Sequence, residues 1–284
     1  MLTTPESSFI QAVKKENIAE VERFIYEGVD LELKDLNGYT PLMHAVKQQN
    51  TELVKLLAEY GANVDTSDGL EDTPLVWASS MKNEAIVKVL LEHGADPDKG
   101  NFSPLMWAAY YGNLRLVKLF LESRANLNSR TNEGWTALMW AAERGNLQVI
   151  WELLKRGASV NMQNNNGQTA LMLAAGRGRI GSVGLLLNKG GDAFVVDFNK
   201  KTAADYARSR QRNEVLQILE KDSIDFDIYG YMSKMHEHFY FGGNLADVEI
   251  STPTMKSFLE KNKTEFESLA DAHIRKINDY DQSI

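Results

Sequence analysis

Gly134-Trp135-Thr136-Ala137-Leu138-Met139-Trp140-Ala141-Ala142 packs two of the chain's five tryptophans into six residues. Whether they form one aromatic site or serve a repeated scaffold depends on how often the stretch occurs. It recurs. Thr40-Pro41-Leu42-Met43-His44-Ala45, Thr73-Pro74-Leu75-Val76-Trp77-Ala78, Ser103-Pro104-Leu105-Met106-Trp107-Ala108, Thr136-Ala137-Leu138-Met139-Trp140-Ala141 and Thr169-Ala170-Leu171-Met172-Leu173-Ala174 share one pattern. A decayed copy is Thr202-Ala203-Ala204-Asp205-Tyr206-Ala207. The spacings are 33, 30, 33, 33 and 33, and one step back from Thr40 reaches Ser7, giving seven copies. A fixed period of this size marks a stacked repeat protein.

A second landmark follows about two helical turns later: Gly61-Ala62-Asn63-Val64-Asp65, Gly94-Ala95-Asp96-Pro97-Asp98 and Gly157-Ala158-Ser159-Val160-Asn161. The first copy keeps Glu27-Gly28-Val29-Asp30-Leu31. Each unit reads as two helices. Thr with Pro beside it is an N-cap and first helical residue. Gly112-Asn113 and Gly145-Asn146 break the first helix from the second. Leu114–Glu122 carries apolar Leu116, Val117, Phe120 and Leu121 at helical spacing. Gly61, Gly94 and Gly157 supply left-handed helix ends. Asn37-Gly38, Glu133-Gly134 and Asn166-Gly167 read as turns between units. One such unit cannot bury its apolar face, so the units must stack.

Period, Thr-Pro-Leu start and Gly-Ala-Asp/Asn landmark together resemble the ankyrin repeat over roughly residues 5–222. The resemblance implies an all-α solenoid of about seven helix-turn-helix units with β-turn fingers, near 5–35, 36–68, 69–99, 100–131, 132–164, 165–197 and 198–222. Departures carry their own expectations. The usual histidine after the leucine is Met43, Val76, Met106, Met139 or Met172 here, which implies a more apolar junction. The fourth unit is three residues short around Lys99-Gly100-Asn101-Phe102, so one finger should be stunted. Arg124 stands where a helix-ending glycine belongs and needs positive φ or another ending. The polar seventh unit suits a solenoid cap.

Composition excludes several chemistries. There is no cysteine, hence no disulfide, thiolate nucleophile or cysteine-bound zinc, and a reducing compartment is compatible. The N-terminus lacks an apolar run behind a basic segment, and no apolar stretch approaches the roughly 20 residues of a membrane helix. Net charge is −8, yet residues 101–222 carry 16 basic and 10 acidic side chains while residues 1–100 carry 9 and 18. An acidic protein with a basic middle is a poor nucleic-acid binder. It can still present a basic face to an acidic partner.

Catalytic motifs are missing: no Gly-x-Ser-x-Gly elbow, phosphate loop or dinucleotide fingerprint occurs. Gly176-Arg177-Gly178-Arg179-Ile180-Gly181 falls in a repeat's inter-helix break. His236-Glu237-His238 is the one histidine cluster, and Asp225, Asp227 and Asp247 are the nearest further ligands without any motif. Two ordinary surface histidines are the better reading, so no metal and no cofactor are expected. Residues 223–284 lie outside the repeat. Met255, Phe258, Leu259, Phe266, Leu269, Ile274 and Ile277 at helical spacing predict a helical extension.

Partners of ankyrin-like proteins usually meet the turn fingers and the exposed ends of the first helices, which line a concave groove. Carried onto this register, the finger positions are Tyr39, Asp72, Phe102, Trp135, Gln168 and Lys201. The positions before the inter-helix breaks include Met81, Tyr110, Tyr111, Arg144, Arg177 and Arg210. Tyr39, Phe102, Tyr110, Tyr111, Trp135 and Arg144 form an expected central patch, because Tyr, Trp and Arg concentrate interface energy. Arg177, Arg179, Lys200, Lys201, Arg208, Arg210 and Arg212 add a basic end suited to carboxylates.

The expected function is therefore non-enzymatic protein binding by a monomer in the cytoplasm. The alternatives are a metal-binding or enzymatic C-terminal segment, or a secreted effector. The Thr-Ala-Leu-Met-Trp-Ala-Ala variant resembles bacterial ankyrin repeats, including effectors delivered into host cells, and Glu260, Glu265 and Glu267 weakly resemble acidic translocation signals. For the opening stretch the register separates the tryptophans. Trp140, like Trp77 and Trp107, belongs at the junction between units, and Trp135 on a finger, facing different neighbours.

Overall fold

The computed structural model describes residues 5–220. Residues 223–284, with the expected helical extension, the His236-Glu237-His238 cluster and Glu260, Glu265 and Glu267, lie outside the described residues. The described chain is all helical and forms seven helix pairs, with no strand among the described residues. The pairs are α1 (Pro5–Lys14) with α2 (Ile18–Tyr26), α3 (Pro41–Lys47) with α4 (Thr51–Glu59), α5 (Pro74–Ser80) with α6 (Glu84–Glu92), and α7 (Pro104–Tyr111) with α8 (Leu114–Glu122). There follow α9 (Ala137–Arg144) with α10 (Leu147–Lys155), α11 (Ala170–Arg177) with α12 (Ile180–Asn188), and α13 (Ala203–Ser209) with α14 (Asn213–Leu219).

Local chemistry starts each unit. Thr40, Thr73, Thr136, Thr169 and Thr202 each accept, at 3.3 Å, the backbone N–H three residues on. These bonds satisfy a donor that the helix itself leaves orphaned. Ser103 makes no such bond, and its buried Oγ has no partner among the described residues. In the first unit the helix runs through Ser7 instead of beginning after it. Asn50, Asn83 and Asn113 cap the second helices of their units.

First helices form one layer and second helices another, each touching its counterparts in adjacent units. The apolar residue after the threonine-leucine start is buried throughout: Met43, Val76, Met106, Met139 and Met172 are at most 1% exposed. First helices pack most closely from α7 to α13, where Ala108-Ala109, Ala141-Ala142 and Ala174-Ala175 are fully buried. Side chains that end at Cβ let helix backbones approach, and close packing adds dispersion contacts.

Two ladders of hydrogen bonds tie unit to unit and shape the fingers. Glu32, Asp65, Asp98, Asn128 and Asn161 each accept a backbone N–H from the next unit, at 2.7–3.0 Å. Within the fingers, Asp35, Asp68, Thr131, Asn164 and Asp197 each accept two N–H groups of their own turn. The short segment before α7 has no equivalent bonds, so this finger is stunted as its length requires. Arg124 takes the positive φ of the glycine it replaces, at 63°.

Asp35 also anchors the first two units. Its carboxylate accepts Lys14 Nζ at 3.0 Å and lies 2.9 Å from His44 Nε2. Burial pushes the carboxyl up, but the bonds from Lys14, the Tyr39 and Asn37 N–H groups and His44 outweigh it, holding Asp35 far below the ordinary 3.8. The ionised form therefore belongs to the folded state.

Two outcomes follow. The Asp35 contribution is complete above about pH 4 and falls away as pH drops further, so Asp35→Asn lowers the melting temperature at pH 7 and flattens its decline in acid. Thermal melts across pH 3–7 read both effects. Arg124→Gly relieves a left-handed backbone and raises stability by about 0.5–1 kcal/mol in urea titrations.

Candidate protein-binding surface

The fingers and the ends of the first helices place an almost unbroken set of rings on one side of the stack. Tyr39 packs edge-on against Trp77 of the next unit, with centroids 4.9 Å apart, and against His44 of its own at 5.8 Å. Phe102 bridges Trp107 at 4.5 Å and Trp140 of the next unit at 5.2 Å. Tyr110 touches Trp107, Tyr111 and Trp140, and Tyr111 stacks on Trp107. Each finger ring thus touches the ring of its own first helix, that of the following one, or both. Such contacts add to the simple burial of aromatic area.

Trp135 and Trp140 correct the expectation that they face different neighbours. Their rings stack on each other with centroids 4.2 Å apart at 28°. Five residues of separation carry the chain from the finger root to one turn inside α9, and the finger folds back over that turn. Trp77 and Trp140 meet rings of the preceding unit, Tyr39 for the first and Phe102 and Tyr110 for the second, whereas the ring contacts of Trp107 lie within its own unit; all three are half-buried. The indole N–H groups of Trp107 and Trp140 are buried without an acceptor among the described residues.

The chain supplies its own cations to the tyrosines. Lys47 lies 5.1 Å from the Tyr39 ring centre, Lys82 4.2 Å from Tyr111, and the Arg144 guanidinium 4.2 Å from Tyr110. Arg144 therefore shares the surface with the tyrosine that the sequence pairs it with. Met81 is half-buried and packs on the core. Tyr111 is 40% exposed, the most open ring of the cluster.

The basic end divides in two. Arg177 is held by Glu143 of the preceding unit, Arg179 donates to the Glu143 carbonyl, and Arg208 bridges Asp205 and Glu220. Arg210 and Lys200 are exposed and make no ion pair among the described residues. Reading single positions did not show that Glu143 holds Arg177 and Lys82 covers Tyr111, each from the preceding unit, or that Lys47 covers Tyr39 within its own. It also left out an exposed apolar group on the last finger, Phe194, Val196 and Phe198.

Among the described residues no cluster of three His, Asp or Glu could hold a metal, and no helix is long and apolar enough to cross a membrane. Family models described as ankyrin repeats match residues 9–101, 98–164 and 153–207, and the chain belongs to the ankyrin-repeat family. Similar solved structures include the human ASB11 ankyrin-repeat domain, 25% identical with a TM-score of 0.66, covering 76% of this chain and 98% of that one. The ankyrin-repeat domain of Bcl-3, described as a unique member of the IkappaB family, is 28% identical with a TM-score of 0.64, covering 75% and 98%. No curated protein matches the chain. Ankyrin-repeat domains are generally protein–protein interaction modules and typically non-enzymatic scaffolds.

Because Trp140 closes a unit junction and Trp135 covers only one of its faces, their truncations should differ. Trp140→Ala should cost about 3 kcal/mol in urea unfolding and Trp135→Ala about 1 kcal/mol.

Proposed function

We propose that residues 5–222 act as a non-enzymatic module holding a protein segment against the finger and first-helix face, with contacts centred on Tyr39, Phe102, Tyr110, Tyr111, Trp135 and Arg144. Met81, Arg177 and Arg210 flank that centre. The observation that carries this reading is the ring network joining Phe102, Trp107, Tyr110, Tyr111, Trp135 and Trp140 while Tyr111 stays 40% exposed. Preorganised aromatic rings lose little conformational freedom on binding and so make strong anchors. An effector role is a special case, in which the segment belongs to a host protein.

Panning a displayed peptide library against the full chain tests the surface. Tyr111→Ala or Trp135→Ala should weaken the enriched peptides about 10- to 100-fold. Tyr26→Ala and Tyr60→Ala, at the exposed ends of the second-helix layer, should leave them unchanged. Equal binding by all four variants would remove the proposed surface.

A further inference from the structure

The ends of the first helices carry one sign of charge. From the second unit on, these ends are residues 47–49, 80–82, 110–112, 143–145, 176–178 and 209–211. They hold Lys47, Lys82, Arg144, Arg177 and Arg210 against a single carboxylate, Glu143, which Arg177 occupies. For Lys47 and Lys82 the sign runs against the local composition, since residues 1–100 carry 18 acidic side chains and 9 basic ones. Nor is it a plain consequence of the helix dipole, which favours cations at every helix C-terminus. In the other layer α4, α6 and α8 end on Glu59, Glu92 and Glu122. In these units the two layers are sorted by charge, and the basic one bears the rings.

Two of these cations stand at the ends of a continuous ring contact. Lys82 Nζ is 4.2 Å from the centre of Tyr111, Tyr111 is 5.1 Å from Tyr110, and Arg144 Cζ is 4.2 Å from the centre of Tyr110. These three steps cross from the third unit to the fifth. Both cations are exposed, and neither makes an ion pair or donates a hydrogen bond among the described residues. By contrast Arg115, Arg130, Arg156 and Arg177 all have partners within the chain. A ring face attracts a cation but takes up few of its N–H donors, of which a guanidinium has five and an ammonium three. The rings thus hold Lys82 and Arg144 in place and leave their donors open. Side chains already ordered lose less freedom when an acceptor arrives.

We propose that Lys82 and Arg144, held over Tyr111 and Tyr110, form a clamp for two carboxylates of the bound segment, so that the partner is an acidic stretch of polypeptide. This rests on the finger and first-helix face being the binding surface. Arg144 takes one carboxylate with its forked donors, and Lys82 takes the other as a point charge. The ring path limits the gap between the cations to about four residues of extended chain, at roughly 3.3 Å each. Side chains two or four positions apart share a face of such a segment, so the two acids stand at one of those spacings. A polypeptide fits better than a nucleic-acid strand, whose unbroken run of phosphates is repelled by a chain of net charge −8.

The same library, panned against the full chain and its variants, tests the clamp separately from the surface. The wild-type chain should enrich peptides with two Asp or Glu residues at a fixed spacing of two or four. Changing both acids to Asn or Gln in a synthetic peptide should weaken binding about 10- to 100-fold. Lys82→Gly and Arg144→Gln should each weaken the acidic peptide about tenfold and leave the neutral one unchanged. Arg144→Glu should replace one acid of the enriched pair with Lys or Arg. Lys82 has a φ of 60°, at the break where later units place Gly112, Gly145 and Gly178, so Lys82→Gly should melt no lower than the wild type. That excludes unfolding as the cause. Arg124→Gln, which removes an exposed charge from the second-helix layer, should change nothing. Peptides that depend on Trp135 but carry no acidic pair, or that bind Lys82→Gly and Arg144→Gln as well as the wild type, would overturn the clamp and leave the surface intact. An equal loss in Arg124→Gln, or a single-stranded oligonucleotide bound more tightly than the acidic peptide, would overturn it too. Peptides indifferent to Tyr111 and Trp135 would overturn the surface reading itself.

Discussion

Each unit of this protein is completed by its neighbour. The acceptor at the end of the Gly-Ala landmark gives the clearest case, because Asp65, Asp98, Asn128 and Asn161 each bind a backbone N–H one unit further along. Without the next unit that acceptor faces water, and without the previous unit the N–H is orphaned. The apolar faces obey the same rule, since a pair of helices of ten residues or fewer cannot bury its own core. Caps, turns and glycine ends set the shape of a unit, but its stability comes from stacking.

The working face follows from that constraint. Short first helices end early, so their last residues and the finger roots lie together on one side. Repetition then brings equivalent positions into rows. Where a row is filled by Tyr, Phe and Trp, contact between successive units generates a ring network with no dedicated motif. Where it is filled by Asn146, Arg179 and Arg212, the side chains cover the glycines at the ends of the preceding first helices. Asn146 also donates to the Ala109 and Tyr110 carbonyls. The rows therefore divide the work, one closing helix ends and another presenting rings.

Charge is distributed by the same logic. The excess of basic side chains in residues 101–222 suggested an open basic end, but Arg177, Arg179 and Arg208 bind acceptors within the chain. Lys47, Lys82 and Arg144 lie over tyrosine rings, where a cation is attracted to the π-face. Counting charges along the sequence therefore overstates what is left for a partner. What remains is a smaller set, which includes the exposed Arg210 and Lys200.

Much of the fold was legible in the sequence, because period, caps and turn residues act over a few positions. The 33-residue spacing, the threonine starts, the glycine ends and the positive φ of Arg124 are local consequences of residue type. The missing three residues before α7 likewise announced a stunted finger. The site was legible only as a list of positions. That Trp135 stacks on Trp140, that Glu143 holds Arg177, and that Phe102 bridges two tryptophans depend on how one unit is offset from the next and how a finger folds back. Sequence fixed which side chains stand in each row, since backbone period sets register. Only tertiary structure decided which of them meet, since distances between side chains 34 to 38 residues apart are set by the packing of alanines and methionines beneath them.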